Sequence, residues 1–299
     1  MKTKKLIRRA YGWWKSQQIK DADTSYQGAV LLAGSARSGT TWLAELINYR
    51  AAFRYIFEPF NRDEVKLCQH FAERQHLLAS SVQAEFQVPL AQIMSGQFRN
   101  PWTDFYNTNS DNSRRLIKTV RANFMLPYFG THFAEIPIVF LLRHPFAVAH
   151  SRMKLGWSAP LEALWEQENL RTTYLQPYDD LLKTKLTVFE RQVLFWCLEN
   201  KFALSGLTTH PRHKIIFYEN FILEPRENIQ DLFNFLALEY FTSIEKKLAH
   251  PSQSVQTRKT SERQNTWQNE VPKVSIEQGL VLLARFGMNR LYGAGKMPC

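Results

Sequence analysis

Short apolar runs separated by stretches of helical spacing organise most of this chain. Residues 28–33, 53–57, 115–120, 137–143 and 214–218 are runs of five to seven residues rich in β-branched and aromatic side chains. Runs this short and this apolar predict strands buried on both faces, as in a parallel sheet. Between and after them, residues 41–49, 147–154, 188–203 and 228–236 place apolar side chains three and four positions apart, which predicts helices packed on that sheet. Strands alternating with helices predict an α/β fold with a central, about five-stranded parallel sheet flanked by helices. Ligands of such sheets sit at the carboxyl ends of the strands.

Two stretches break the pattern. Residues 61–113 are polar and turn-rich around Asn100-Pro101-Trp102 and Asn107-Thr108-Asn109-Ser110, and residues 156–187 carry Trp157, Trp165, Tyr174 and Tyr178. Insertions of that length are often lids or binding loops. The expected organisation is a basic, aromatic segment over 1–27 followed by one α/β domain over 28–299.

Composition narrows the partners. The chain has 299 residues, 44% hydrophobic and 13% aromatic, enough for a sizeable packed core. Its formal charge of +11 favours anionic partners, and charge alone leaves nucleotides, acidic glycans, nucleic acid and anionic lipid open. Cys68, Cys197 and Cys299 are scattered, which argues against a disulfide framework or a zinc site and suits a reducing, cytoplasmic setting. The apolar run 136–142 is far too short to span a bilayer. Lys2, Lys4, Lys5, Arg8 and Arg9 lead into Tyr11-Gly12-Trp13-Trp14-Lys15 with no continuous apolar core, unlike a secretory signal. That segment suits either peripheral contact with a membrane surface or a tail or helix docked on the domain.

The densest chemistry lies in Gly34-Ser35-Ala36-Arg37-Ser38-Gly39-Thr40-Thr41-Trp42, between the first predicted strand and helix. Two glycines five residues apart let backbone N–H groups converge where the positive end of a helix favours an anion. A nucleoside-triphosphatase loop would carry Lys after the second glycine; here Thr40 stands there and the cation is Arg37. The loop is thus built for a phosphate but not for cleaving a triphosphate, and the fold is expected to be of the P-loop nucleotide-binding kind. A second candidate is Arg143-His144-Pro145 through Arg152: Arg143 ends a strand, Pro145 starts a helix, and Ser151 follows two turns later. Arg143 and Ser151 together suit one phosphate, the guanidinium gripping it by its fork. The competing reading is an Arg at the sheet edge and a Ser facing solvent.

Taken together, residues 35–42 and 143–152 resemble the two nucleotide-binding motifs of sulfotransferases that use 3′-phosphoadenosine 5′-phosphosulfate (PAPS). The likeness continues through Arg115-Leu116-Ile117-Lys118-Thr119 and Ile216-Phe217-Tyr218-Glu219-Asn220, and more faintly to Thr257-Arg258-Lys259 and Trp267. The resemblance implies that Arg37, Ser38, Gly39, Thr40 and Thr41 hold the 5′-phosphosulfate. It implies that Trp42 and Tyr218 contact adenine, that Arg143 and Ser151 hold the 3′-phosphate, and that Arg258 and Lys259 close over it. Trp42 suits a core anchor equally well, and Tyr218 a buried phenol. Thr260 follows Lys259 where the family normally has Gly, and His144 replaces its usual Asp.

The small-molecule branch of that family has Lys where this chain has Arg37, and a catalytic His where it has Val120. Arg37, Phe57-Glu58-Pro59 and Lys118-Thr119-Val120-Arg121 look closer to the carbohydrate sulfotransferases, in which a glutamate near the end of the second strand is the expected base. Glu58 is therefore the candidate general base; its competing role is a carboxylate paired with a nearby Arg to fix the strand end. Arg37 and Lys118 are the candidates for neutralising charge on the leaving phosphate and the equatorial oxygens of the transition state. The layout requires no metal. The expected acceptor is a hydroxyl, less readily an amine, of a saccharide, glycolipid or polysaccharide. Trp102, Trp157 and Trp165 suit stacking on sugar faces, and Lys66, Arg74, Arg99 and Arg114 suit an acidic saccharide. Two other readings exist: a small-molecule kinase, which Thr40 disfavours, and a noncatalytic basic module for nucleic acid or membrane. No nucleic-acid motif of known geometry is present.

Overall fold

The structure is a computed structural model that describes residues 2–20, 25–248, 266–295 and 297–298. Its strands are β1 (Ala29–Gly34), β2 (Arg54–Phe57), β3 (Arg115–Thr119), β4 (Ile138–Leu142) and β5 (His213–Phe217). The longer helices are α1 (Lys2–Gln17), α2 (Thr40–Ile47), α3 (Ala84–Met94), α4 (Leu126–His132), α5 (Pro145–Lys154), α6 (Val188–Leu207), α7 (Pro225–Phe235) and α8 (Lys273–Arg285). Each expected strand forms within two residues of its expected ends.

The five strands pair in parallel in the order β2-β3-β1-β4-β5. β1, β3 and β4 are buried throughout, as apolar runs covered on both faces must be. Alternate side chains divide the interior. Val30, Leu32, Leu116, Val139 and Leu141 face α2 and α7, whereas Leu31, Ala33, Ile117, Ile138 and Phe140 face the layer containing α4, α5 and α6. α6 packs closely on α5 and α8, and a Thr187–Glu190 capping box begins it.

The 61–113 insertion is less irregular than its polar turns imply. It contains α3, whose Leu90, Ile93 and Met94 enter the core, and Phe71 is buried with them. Two strand arginines fasten it to the sheet. Arg54 is wholly buried, bonds Asp104 at 3.0 Å and donates to the Gly96 carbonyl at 2.7 Å. Arg115 donates to the carbonyls of Met94 at 3.0 Å and Asn112 at 2.7 Å. Leu161, Leu164, Leu170 and Leu175 of the 156–187 insertion are also buried. Both insertions are anchored in the core rather than draped over it.

α1 docks on the first insertion. Gly12 lies so close to Pro101 that an added Cβ would sit 2.0 Å from its carbonyl oxygen, and Lys15 Nζ donates to the Asn107 carbonyl at 2.6 Å. Tyr11 meets Phe105 edge-on at 5.8 Å.

Candidate active site

Parallel pairing in register brings Glu58, Val120, Ser35, Arg143 and Tyr218, each just beyond its strand, to one edge of the sheet. With strands about 4.8 Å apart, β2 and β5 lie roughly 19 Å from each other, so the edge holds two neighbouring regions.

The first region is the β1–α2 turn with its neighbours on β4 and β5. Gly39 has φ 102°, and its missing Cβ would lie 2.8 Å from the Tyr218 ring, so both the turn and that packing require glycine. No side chain caps α2 and no acid sits in its first turn, which leaves its N-terminal N–H groups for an anion. Ser38 is fully buried and donates to the Ser35 carbonyl within the turn; Thr40 is buried and Thr41 half-buried. The two motifs meet directly. Arg37 Nε donates to Ser151 Oγ at 3.1 Å, and Arg143 Nη1 donates to the Arg37 carbonyl at 3.1 Å. Arg143 lies over the Tyr218 ring at 4.5 Å, and Trp42 meets that ring edge-on at 5.6 Å. Trp42 also packs on Phe221 and belongs to the core below. Arg258 and Lys259 lie outside the described residues.

Two residues that sequence reasoning missed hold this turn from beneath. Arg152 and Glu199 are almost fully buried and paired at 2.7 Å. Arg152 Nε donates to the Ala36 carbonyl at 3.1 Å, Ser35 Oγ to the same Glu199 oxygen at 2.7 Å, and Asn200 Nδ2 to Ser35 Oγ at 2.8 Å. Nothing in the chain pairs positions 152 and 199, although a Glu-Asn step in an otherwise apolar helical stretch was a signal.

The second region surrounds Glu58, which is buried and continues the ladder through its N–H to the Lys118 carbonyl at 2.8 Å. Lys118 Nζ lies 2.6 Å from Glu58 Oε1, while Arg121 Nη1 at 3.0 Å and the Val120 N–H at 3.2 Å donate to Oε2. Burial pushes this carboxyl's pKa up, but Lys118, Arg121 and the hydrogen bonds outweigh it and hold the pKa below the ordinary value of 4.5. Glu58 stays ionised throughout the neutral range. Beside it Phe57 packs on Trp102 at 5.5 Å and Tyr106 at 5.0 Å. The pairing with a nearby Arg that was the competing reading of Glu58 is therefore present, and the Arg is Arg121, three residues after Lys118.

Among the described residues other than glycine, four have positive φ, and two of them are Arg37 at 75° and Glu58 at 47°. Left-handed backbone at a non-glycine residue costs of order 1–3 kcal/mol and concentrates at functional sites.

Other expectations fall elsewhere. His144 caps α5 through Nδ1, stacks on Trp267 at 4.9 Å, and its backbone N–H donates to Glu219 at 2.8 Å. Burial lowers its pKa to about 4, so the ring is neutral. Trp165 bonds Asp179 at 2.7 Å, Trp157 is about half exposed, and Arg99 donates to the Ile19 carbonyl at 2.9 Å. Arg114 lies over Phe53 and Arg74 over Phe195. Among the described residues no group of three or more His, Cys, Asp or Glu is placed to hold a metal ion.

An anion-ready turn joined to a second basic segment, and a buried carboxylate two strands away, fit a nucleotide donor beside a separate acceptor. The sequence profile of the sulfotransferase domain matches residues 27–280, most of the chain. The chain belongs to the sulfotransferase family. It is a PAPS-dependent sulfotransferase, with PAPS as the sulfuryl donor. Three solved structures are similar at a distance. The sulfotransferase domain from the curacin biosynthetic pathway shares 13% identity over 87% of this chain and 97% of its own, with a TM-score of 0.48. The sulfotransferase domain of the Synechococcus olefin synthase shares 15% over 90% and 98%, with a TM-score of 0.49. A mouse sulfotransferase complexed with PAP, the desulfated nucleotide, shares 16% over 92% and 88%, with a TM-score of 0.43. These are too distant to speak to the acceptor, and no curated protein sequence matches this one.

Proposed function

We propose that this sulfotransferase moves the sulfuryl group of PAPS to a hydroxyl of a saccharide or glycoconjugate by in-line displacement. The observation that carries the reading is the buried, ionised Glu58 bonded to Lys118 and to the Val120 N–H, at a strand end where Val120 itself offers no base. In this reading the α2 N-terminus, with Arg37, Ser38, Gly39, Thr40 and Thr41, receives the 5′-phosphosulfate. Arg143 and Ser151 receive the 3′-phosphate, and the Trp42–Tyr218 pair borders the adenine.

Sulfuryl transfer passes through a loose transition state, so placement and positive charge do most of the work. The acceptor O–S bond forms as the bond from sulfur to the 5′-phosphate oxygen breaks, and the leaving phosphate takes the electron pair. Arg37 and Lys118 meet the charge that builds on it. As Lys118 is drawn toward that phosphate, Glu58 loses a partner, its proton affinity rises, and it accepts the acceptor's proton. The same contact that lowers the Glu58 pKa at rest thereby times its action.

The test is transfer from PAPS labelled in its sulfuryl group to two matched sets of acceptors. One set holds neutral and acidic oligosaccharides and glycolipids; the other holds phenols, sterols and simple amines. Labelling in the first set alone is the expected result, and labelling confined to the second rejects the acceptor assignment.

A further inference from the structure

Helix α1 is amphipathic in the opposite sense to an ordinary surface helix. At about 100° per residue, positions 6, 7, 10, 13 and 14 share one flank, and positions 8, 12, 15 and 16 the other. The flank with Gly12 and Ser16 turns inward; Arg8 donates to the Tyr106 hydroxyl at 3.2 Å and lies over the Phe105 ring at 4.5 Å. The apolar flank turns outward, with Leu6 66%, Ile7 65%, Trp13 58% and Trp14 53% exposed, and Tyr11 beside them at 47%. Water is a poor solvent for such a stripe, and contiguous exposed apolar surface marks an interaction site.

Charge selects the occupant. The helix carries Lys2, Lys4, Lys5, Arg8, Arg9 and Lys15 and no acidic residue. Arg8 and Lys15 serve the docking, and Arg9 and the three early lysines add to the positive charge of this segment of sequence. A second copy meeting this one through the same flank would bring two such helices together and repel. An anionic lipid surface instead accepts the apolar stripe below its headgroups and attracts the cations, while tryptophan suits the boundary between them. No helix among the described residues is long and apolar enough to cross a membrane, so the contact is peripheral.

We infer that α1 seats the protein on anionic membrane through Leu6, Ile7, Trp13 and Trp14. The inference is independent of the acceptor reading. It also has a spatial consequence: the helix rests through Arg8 on Trp102 and Tyr106, which pack on Phe57 beside Glu58, so the seated flank is that of the Glu58 region.

The full chain is sedimented with phosphatidylcholine vesicles, with and without phosphatidylserine, at low and high salt. Binding should require phosphatidylserine, weaken with salt, and fall about tenfold or more in Trp13→Ser/Trp14→Ser and in Leu6→Glu/Ile7→Glu. Both variants change exposed side chains, and unchanged melting temperature and PAP affinity show that they fold. Failure of the wild-type chain to sediment with the anionic vesicles overturns the inference, as does equal sedimentation of folded variants. A dimer in analytical ultracentrifugation that both variants abolish also overturns it, because a second copy would then cover the stripe.

Discussion

Arg152 offers the sharpest test of how the nucleotide turn is held. Changing it to Met keeps an unbranched apolar stem and removes the charged end, including the guanidinium that lies over Phe195 at 4.9 Å. Glu199, wholly buried, then loses a partner at 2.7 Å, and the Ala36 carbonyl loses its donor at 3.1 Å. Stranding one member of a buried ion pair costs about 3–5 kcal/mol. Unfolding entropy near 2.1 cal/mol/K per residue, over 299 residues, is about 0.6 kcal/mol/K, so the melting temperature should fall by about 5–8 °C. The lower end is favoured because the Arg74 charge also acts on Glu199. Ordering even one residue of the loosened turn again on binding costs about 1–2 kcal/mol, which weakens PAP about tenfold or more. Differential scanning calorimetry and isothermal titration with PAP read the two effects. Adding Glu199→Gln removes the stranded charge and should restore more than half of the lost melting temperature. A melting temperature within about 1 °C of wild type, together with unchanged PAP affinity, would refute the claim that this pair props the turn.

Glu58→Gln should lower turnover by about 10²–10⁴-fold, the usual worth of a general base, while leaving PAP affinity nearly intact; unchanged turnover would remove Glu58 from that role. The pH profile carries its own sign. Because the folded pKa is lowered, the Glu58 ion pairs stabilise fully above the ordinary value of 4.5 and are lost as pH falls through the lowered one, so the acid limb of kcat/KM, which reports the free enzyme, should lie below 4.5 and vanish in the Gln variant. Arg143→Ala should weaken adenosine 3′,5′-bisphosphate far more than adenosine 5′-phosphate in titration calorimetry, and equal losses would reject the 3′-phosphate assignment. Asp104→Ala strands the fully buried Arg54 and should cost about 3–5 kcal/mol in urea unfolding; a loss under about 1 kcal/mol would show that the backbone carbonyls suffice.

What local pattern can express was readable along the chain. Five short apolar runs became five parallel strands; the inner three, β3, β1 and β4, are covered on both faces, whereas β5 at the edge is mostly half-buried. The Gly34–Gly39 spacing expressed a tight turn, and the Arg143–Ser151 spacing put both residues on one strand-to-helix junction. The strand order was not readable, since every inner strand looks alike; pairing β1 between β3 and β4 is what brings Arg37 against Ser151 and sets Glu58 two strands away. Nor was the Arg152–Glu199 prop, because a buried ion pair depends on two distant helices meeting at one point. Glu58 shows the division most clearly. Its place near a strand end follows from sequence, but its ionisation is decided by which cations the folded chain crowds against it in a site from which water is excluded. Helix α1 shows it in reverse: its basic and aromatic residues stand out in the sequence, and only packing against Pro101 and Tyr106 determines that the apolar side is the one left facing out.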